Sequence, residues 1–342
     1  MKALVLGSTG HIGSHITRAL VNEGHEVRAA YRNSEYLSVL DGLPVKKVRV
    51  DLDTLEGLRE ACKGCDWVFH AAAYKHVPLV EANPLAGLSN DVLGTHVLAR
   101  EAGEAGVERF ILISSDKAVR PTNVMGASKR LAEQVVQDLA SRSSTTVFTM
   151  VRFGNVLGSS GSVLPLFQEQ ISRGGPVTLT HADATRYFMT TQEAVRLVLY
   201  AGSFAVGGEV FVLDMGQPVA ICNLVRQVIE GSGYSVRDMA HPDGDIEIVI
   251  TGLRPGEKLH EELLISGQHQ ATQHPKILSA REECISEIEM AASLKALRLA
   301  IDAGDADAAK TVAARVVEGY GAPKPRDPDE SLGGTVTEMP AS

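Results

Sequence analysis

Lys2-Ala3-Leu4-Val5-Leu6-Gly7-Ser8-Thr9-Gly10-His11-Ile12-Gly13 is the stretch that decides the fold. A short aliphatic run leads directly into glycines at 7, 10 and 13, and a helix-period segment follows over 11–22. A strand that turns sharply into a helix aims backbone amides at whatever lies beyond the helix N-terminus, where negative charge is favoured. Gly7 is expected to permit the tight turn and Gly10 to let amides approach a pyrophosphate. Gly13 is expected to let helix and strand pack closely. Thr9, His11 and Ile12 lie in the same turn and complete the expected cofactor contacts.

Further strands are expected at 26–30, 45–50, 67–70, 109–113 and 146–151, with helices at 55–62, 84–105 and 123–140. Parallel strands covered by helices on both faces read as continuous aliphatic runs. This alternation predicts an α/β fold with a doubly wound parallel Rossmann sheet over residues 1–155, joined by returning segments at about 182–222. From about Gly154 the rhythm loosens. Helices at 163–173, 192–201 and 221–231 alternate with short strands at 177–179, 209–214 and 246–250. The irregular parts, about 156–181 and 223–285, read as a smaller interleaved substrate-binding cap. Residues 286–318 are rich in Ala, Leu and Glu and are expected to be helical. Residues 319–342 are dense in Pro, Gly and Asp and are expected to be a disordered tail.

The 342 residues carry 33 basic and 42 acidic side chains, a net charge of -9, which argues against a nucleic-acid surface. No apolar run is long enough to span a membrane, and a cytoplasmic location is expected. Four cysteines are too few for a disulfide framework. Cys62-Lys63-Gly64-Cys65 lacks a second ligand pair, so no metal site is expected. The chain has no GxxxxGK[ST] loop, no HExxH and no GxSxG elbow, which removes kinase and hydrolase readings.

The end of the second strand selects the cofactor. An acidic residue there would grip a ribose hydroxyl, but the chain reads Tyr31-Arg32-Asn33. Arg32 suits a 2′-phosphate, so NADP is expected, with NAD as the other option. Asp51 and Leu52 follow the third strand and are expected near the adenine.

Five longer motifs narrow the reading. Ala71-Ala72-Ala73-Tyr74-Lys75-His76 follows the fourth strand, and Ser114-Ser115-Asp116-Lys117 through Met125-Gly126-Ala127-Ser128-Lys129 follows the fifth. Arg152-Phe153-Gly154-Asn155, Thr185-Arg186-Tyr187-Phe188-Met189-Thr190 and Gly252-Leu253-Arg254-Pro255-Gly256-Glu257-Lys258-Leu259 come later. Together they resemble the extended short-chain dehydrogenase/reductase superfamily, in its polysaccharide-biosynthesis branch of UDP-N-acetylglucosamine 4,6-dehydratases. The resemblance runs from about Ala71 to Leu264.

The resemblance implies a redox-neutral loss of water from a UDP-N-acetylhexosamine. Ser115 takes the hydroxyl position of the redox set, Lys129 its lysine and Met125 its tyrosine position. A thioether accepts no proton, so the base for the C4 hydroxyl is left open between Ser115, Asp116 and a water held by Lys129. A subset of these dehydratases is similar in having Met here. Lys117 is implied as the base at C5 and Asp116 as the acid at C6. A nearby carboxylate and ammonium in a water-poor cleft perturb one another, and desolvation brings a lysine toward neutrality. Ala71, Ala72 and Ala73 are implied to line the cofactor, which Lys129 also touches. Lys75 and His76 are assigned to the sugar or the nicotinamide, Asn155 to the substrate, Arg186 and Arg254 to the diphosphate and Glu257 to the uridine ribose. Arg152 is assigned a structural partner, and Asp91 stands where many relatives carry asparagine. A UDP-sugar 4- or 5-epimerase is the runner-up, and a non-catalytic NADP-binding protein the third reading. The superfamily implies a homodimer or higher homo-oligomer, built through a four-helix bundle of 84–105 and 123–140.

Overall fold

The computed structural model describes residues 1–159, 161–265 and 269–321. The first half alternates as β1 (Lys2–Leu6), α1 (His11–Asn22), β2 (Glu26–Tyr31), β3 (Lys46–Arg49), α2 (Leu58–Cys62) and β4 (Trp67–His70). It continues with α3 (Val77–Ala82), α4 (Pro84–Leu88), α5 (Thr95–Glu104), β5 (Arg109–Ile113), α6 (Val124–Arg142) and β6 (Val147–Arg152). Next come β7 (Asn155–Val156), α7 (Val163–Ser172), β8 (Val177–Leu179), β9 (Thr185–Arg186), β10 (Phe188–Met189), α8 (Thr191–Phe204) and β11 (Val210–Leu213). The chain ends with β12 (Val219–Ala220), α9 (Ile221–Gly231), β13 (Val236–Arg237), β14 (Ile246–Ile250), β15 (Gln270–Ala271), β16 (Ile277–Ala280), α10 (Glu287–Asp302) and α11 (Ala306–Val316).

A central sheet runs in the order β15-β16-β11-β6-β5-β4-β1-β2-β3. From β11 to β3 every pairing is parallel, while β16 joins β11, and β15 joins β16, in antiparallel fashion. Side chains alternate across the sheet, and both faces of its central strands are dry. Ala3 and Val5 of β1 meet Ile16 and Leu20 of α1 and Val195 and Val198 of α8. Leu4 and Leu6 face the other way, toward Leu58, Leu98 and Val136. Each such buried aliphatic side chain stabilises the fold by at most about 1.5–3 kcal/mol.

Four details differ from the sequence expectation. The helix expected at 55–62 begins only at Leu58, because Leu55 (φ 64°) and Gly57 (φ 76°) are left-handed and cannot enter a right-handed helix. The helix expected at 84–105 is split by a π-helical turn over Ser89–Gly94. The helix expected at 286–318 breaks at Gly304 (φ 70°), and Asp305 then caps α11 by accepting the Ala308 N–H at 2.9 Å. The segment up to 285, expected in the cap, divides. β14 joins the small parallel sheet β13-β14-β8, whereas β15 and β16 extend the main sheet. That small sheet packs under α7 and α9 through Phe167, Ile171, Val225 and Ile229. Of the tail expected at 319–342, residues 322–342 lie outside the described residues.

α6 is buried continuously from Val124 to Asp138. Met290, Leu297, Ala309, Ala313 and Val316 of α10 and α11 cover Leu88, Val124, Leu131 and Val135. Gln134 donates to the Val316 carbonyl at 3.3 Å, and Arg142 pairs with Glu287 at 2.9 Å. The chain's own C-terminal hairpin thus covers this face of α4 and α6.

Candidate active site

The glycine turn leaves no room for side chains. A methyl group at Gly7 would sit 2.7 Å from the Ala71 carbonyl oxygen, and one at Gly13 would sit 2.1 Å from the Gly7 oxygen. So β1, β4 and α1 meet with only hydrogen atoms between their backbones. α1 has no side-chain cap at Gly10. Its first-turn amides are thus free of a capping group, as a pyrophosphate requires. These residues fit a dinucleotide. His11 bonds Thr191 Oγ1 at 2.8 Å. Burial, then His15 and Lys75, hold its imidazole below the ordinary value. Thr9 and Ile12 are half-buried beside it.

Arg32 donates to the Tyr74 hydroxyl at 2.8 Å, pairs with Asp53 at 3.1 Å and lies over the Tyr74 ring. The Asp51 carboxylate is turned onto the Asp53 amide at 2.8 Å. The Leu52 side chain is buried in the core. Only the backbone of Leu52 and the outer oxygen of Asp51 therefore remain for an adenine. Ala71, Ala72 and Ala73 carry the chain out of β4, half-buried, across from the glycine turn.

The chemistry-bearing loops leave the C-terminal ends of β4, β5 and β6, where ligands bind in such sheets. Asp116 is fully buried at the start of a single 3₁₀ turn. Its Oδ1 accepts the Ser115 hydroxyl at 2.8 Å and the Lys117 ammonium at 3.0 Å, while Oδ2 has no partner among the described residues. Gly154 keeps that oxygen clear, since a methyl there would lie 3.1 Å from Oδ2 and 3.0 Å from Tyr187 Cβ. Lys117 also donates to Asn155 Oδ1 at 3.2 Å. Burial opposes the charge on Lys117, but Asp116 and Glu261 outweigh it and hold the amine above the ordinary lysine value. The shift toward neutrality that desolvation implied is thus corrected. Two carboxylates within 4 Å decide the sign.

Lys75, from the loop after β4, is held low by partial burial and then by the charge on Lys117, so these two loops converge. The loop after β7 closes over His76, because a methyl at Gly161 would come within 2.1 Å of the imidazole Cε1. Met125 lies in the apolar cluster with Val80, Leu88 and Leu131 and packs there. Lys129 Nζ is 3.4 Å from Asp91 Oδ2.

The two arginines differ. Arg186 gives its N–H groups to the carbonyls of Thr185 (2.7 Å), Lys258 (2.9 Å) and Leu259 (3.0 Å). It also lies within 4 Å of Glu257 and Glu261. In this state it clamps the 257–261 segment and offers no open donor pair. Arg254 is exposed, and its guanidinium has no partner among the described residues. Glu257 accepts the Arg254 amide at 3.2 Å. Thr122 and Asn123 both donate to the Gly256 carbonyl, at 2.7 and 2.8 Å, which ties this segment to the start of α6. Cys62 and Cys65 are buried, and burial pushes the Cys62 thiol up to about 12, so both are packing residues.

Glu261 escaped the sequence reading. It lies two residues beyond the motif that ends at Leu259, and only the fold brings it to Lys117.

A parallel sheet, a glycine turn at β1 and a charged constellation after β5 define an extended short-chain dehydrogenase/reductase. Residues 3–282 match the polysaccharide biosynthesis protein family, and the chain belongs to that family. The capsular polysaccharide biosynthesis protein CapD of Staphylococcus aureus is 49% identical over 275 residues, which are 76% of this chain and 44% of that protein. The chain thus spans less than half the length of that relative. A UDP-glucose 4-epimerase of Rickettsia canadensis is 34% identical over 78% of each chain. The X-ray structure of Pen from Bacillus thuringiensis superposes with a TM-score of 0.73 at 30% identity, covering 86% of this chain and 97% of that one. The structure of MoeE5 in complex with UDP-glucose and NAD superposes with a TM-score of 0.63 at 26% identity, covering 76% of this chain and 88% of that one. No helix among the described residues is long and apolar enough to cross a membrane.

Proposed function

We propose that the protein is a nucleotide-sugar 4,6-dehydratase that converts UDP-N-acetylglucosamine to UDP-2-acetamido-2,6-dideoxy-4-keto-hexose. The observation that carries this reading is the Asp116–Lys117 contact of 3.0 Å at the C-terminal edge of β5. Epimerisation at C4 needs hydride exchange and a base for the C4 hydroxyl. Dehydration needs, in addition, a base for the C5 proton and an acid for the C6 hydroxyl. Passing one proton across the contact turns ammonium and carboxylate into amine and carboxylic acid. Lys117 then takes the C5 proton, and the electron pair moves toward the C4 carbonyl. Asp116 gives its proton to the C6 hydroxyl, which leaves as water, and the couple returns to its resting charges. A nicotinamide dinucleotide bound at the glycine turn would supply the hydride exchange between C4 and C6. The C4 hydroxyl proton goes to the base left open among Ser115, Asp116 and a water held by Lys129, and a solvent-derived proton returns to C5.

Arg32 supports NADP over NAD, with Nε and Nη2 open for a 2′-phosphate among the described residues. Calorimetry is expected to give tighter binding for NADP, and equal affinities would overturn this choice. Arg254, Asn155, Glu257, Lys75 and His76 bind the nucleotide sugar in this reading, and Arg186 positions their segment. The reading includes a cytoplasmic location and self-association as a homodimer or higher homo-oligomer. The Rickettsia relative favours the second reading, a UDP-sugar epimerase. Lys117→Ala tests the assignment. The variant is expected to bind cofactor normally and release no water, and wild-type turnover would refute the role.

A further inference from the structure

Glu261 is 9% exposed, and its Oε2 is buried without a partner among the described residues. Its Oε1 stands 3.7 Å from Lys117 Nζ and 3.9 Å from Arg186 Nε. A buried carboxylate that accepts no hydrogen bond is costly, and a purely structural one would gather donors. This one is held by charge alone, between the two cations of the site. We propose that Glu261 is a positioning residue, the counter-charge that sets the pH at which Lys117 changes from ammonium to base. The proposal rests on the assignment of Lys117 as the base at C5.

Among the described residues, five groups face Lys117. Asp116 comes from its own turn, Asn155 from β7, Arg186 from β9, Glu261 from the segment after Leu259 and Lys75 from the loop after β4. Asp116 must gain a proton and give it up in the reaction, and its charge therefore changes during turnover. Glu261 touches no reacting position in this account. Its constant negative charge is what keeps the lysine ready to receive the C5 proton. The two cations Arg186 and Lys75 act in the opposite sense, so neutralising Glu261 leaves Lys117 with a single anionic neighbour.

The test uses Glu261→Gln and Glu261→Asp in the full chain, with folding checked by thermal melting. The first readout needs no substrate. The rate at which a trace of acetic anhydride acetylates Lys117 is followed against pH by mass spectrometry of its peptide. The second is the basic limb of kcat/KM for water loss from UDP-N-acetylglucosamine, where the couple loses its one proton to solvent. Removing a nearby negative charge makes the ammonium easier to deprotonate. Glu261→Gln is thus expected to move both the labelling midpoint and the basic limb to lower pH by about one unit. Glu261→Asp is expected to move them less, in the same direction, and it decides the matter if the glutamine variant does not fold. A labelling midpoint that stays in place or rises overturns the proposal. If the wild type releases no water, the dehydratase reading fails alone, and the labelling still judges Glu261.

Discussion

Lys129 Nζ stands 3.4 Å from Asp91 Oδ2, and both side chains are buried. The other oxygen of Asp91 accepts the Tyr74 amide at 2.9 Å, and Ser128 donates to Oδ2 at 3.2 Å. One carboxylate thus joins α6 to the loop that leaves β4. The π-helical turn is what aims it, since Asp91 lies inside Ser89–Gly94. Burial raises the Asp91 carboxyl above the ordinary range, and Lys129 pulls it partly back.

Removing one member of a buried pair strands the other. Asp91→Ala is expected to cost about 3–5 kcal/mol, whereas Asp91→Asn, which keeps an acceptor for the Tyr74 amide, is expected to cost less. Urea unfolding of the two variants measures this. Equal stability of Asp91→Ala and wild type would show that the pair does not hold the loop.

His70 sets a second expectation. It is buried on β4, with Nε2 2.9 Å from Thr95 Oγ1, and burial followed by the Lys129 charge pushes its imidazole down to about 3. The unfolded chain protonates near 6.5, so below that pH it binds a proton that the folded state refuses. Stability is therefore intact above about 6.5 and falls by about 1.4 kcal/mol per pH unit down to about 3. Between pH 6.5 and 5 this amounts to about 2 kcal/mol. Urea unfolding of His70→Asn at pH 7 and 5 is expected to show a loss smaller than wild type by that amount. An unchanged pH slope would contradict the burial of a neutral imidazole.

The C-terminal hairpin gives a third. If α10 and α11 cover α6 in solution, hydrogen exchange over 124–138 is slow and does not depend on protein concentration. Protection that grows with concentration would mean that a second copy, and not the hairpin, covers this face.

The alternation of the first half was legible because each buried strand is an unbroken aliphatic run and each helix has its own period. The glycine turn was equally legible, since Gly7 and Gly13 answer to backbone contacts under 3 Å. Arg152 was expected to have a structural partner, and it is fully buried between Glu133 and Glu282, at 2.6 Å from each. Glu282 itself was invisible. It sits in a segment with no motif and reaches Arg152 only because β16 returns to the main sheet beside β11. β16 has four residues, Ile277-Leu278-Ser279-Ala280, too short a pattern to announce a strand. Glu261 was hidden for the same kind of reason, because its partner is 144 positions away in the chain. The hairpin's cover of α6 was also beyond reach. Amphipathic periodicity reveals that a helix has an apolar face, but not which surface will meet it.

The central claim is that Asp116 and Lys117 remove water from a nucleotide sugar. Its most direct measurement is incubation of the protein and its Lys117→Ala variant with UDP-N-acetylglucosamine in deuterated water, read by mass spectrometry and NMR. The account predicts that wild type yields a 4-keto-6-deoxy product lighter by one water and deuterated at C5, and that the variant yields none. A product of unchanged mass with an inverted ring carbon, or the same water loss from the variant, would contradict it.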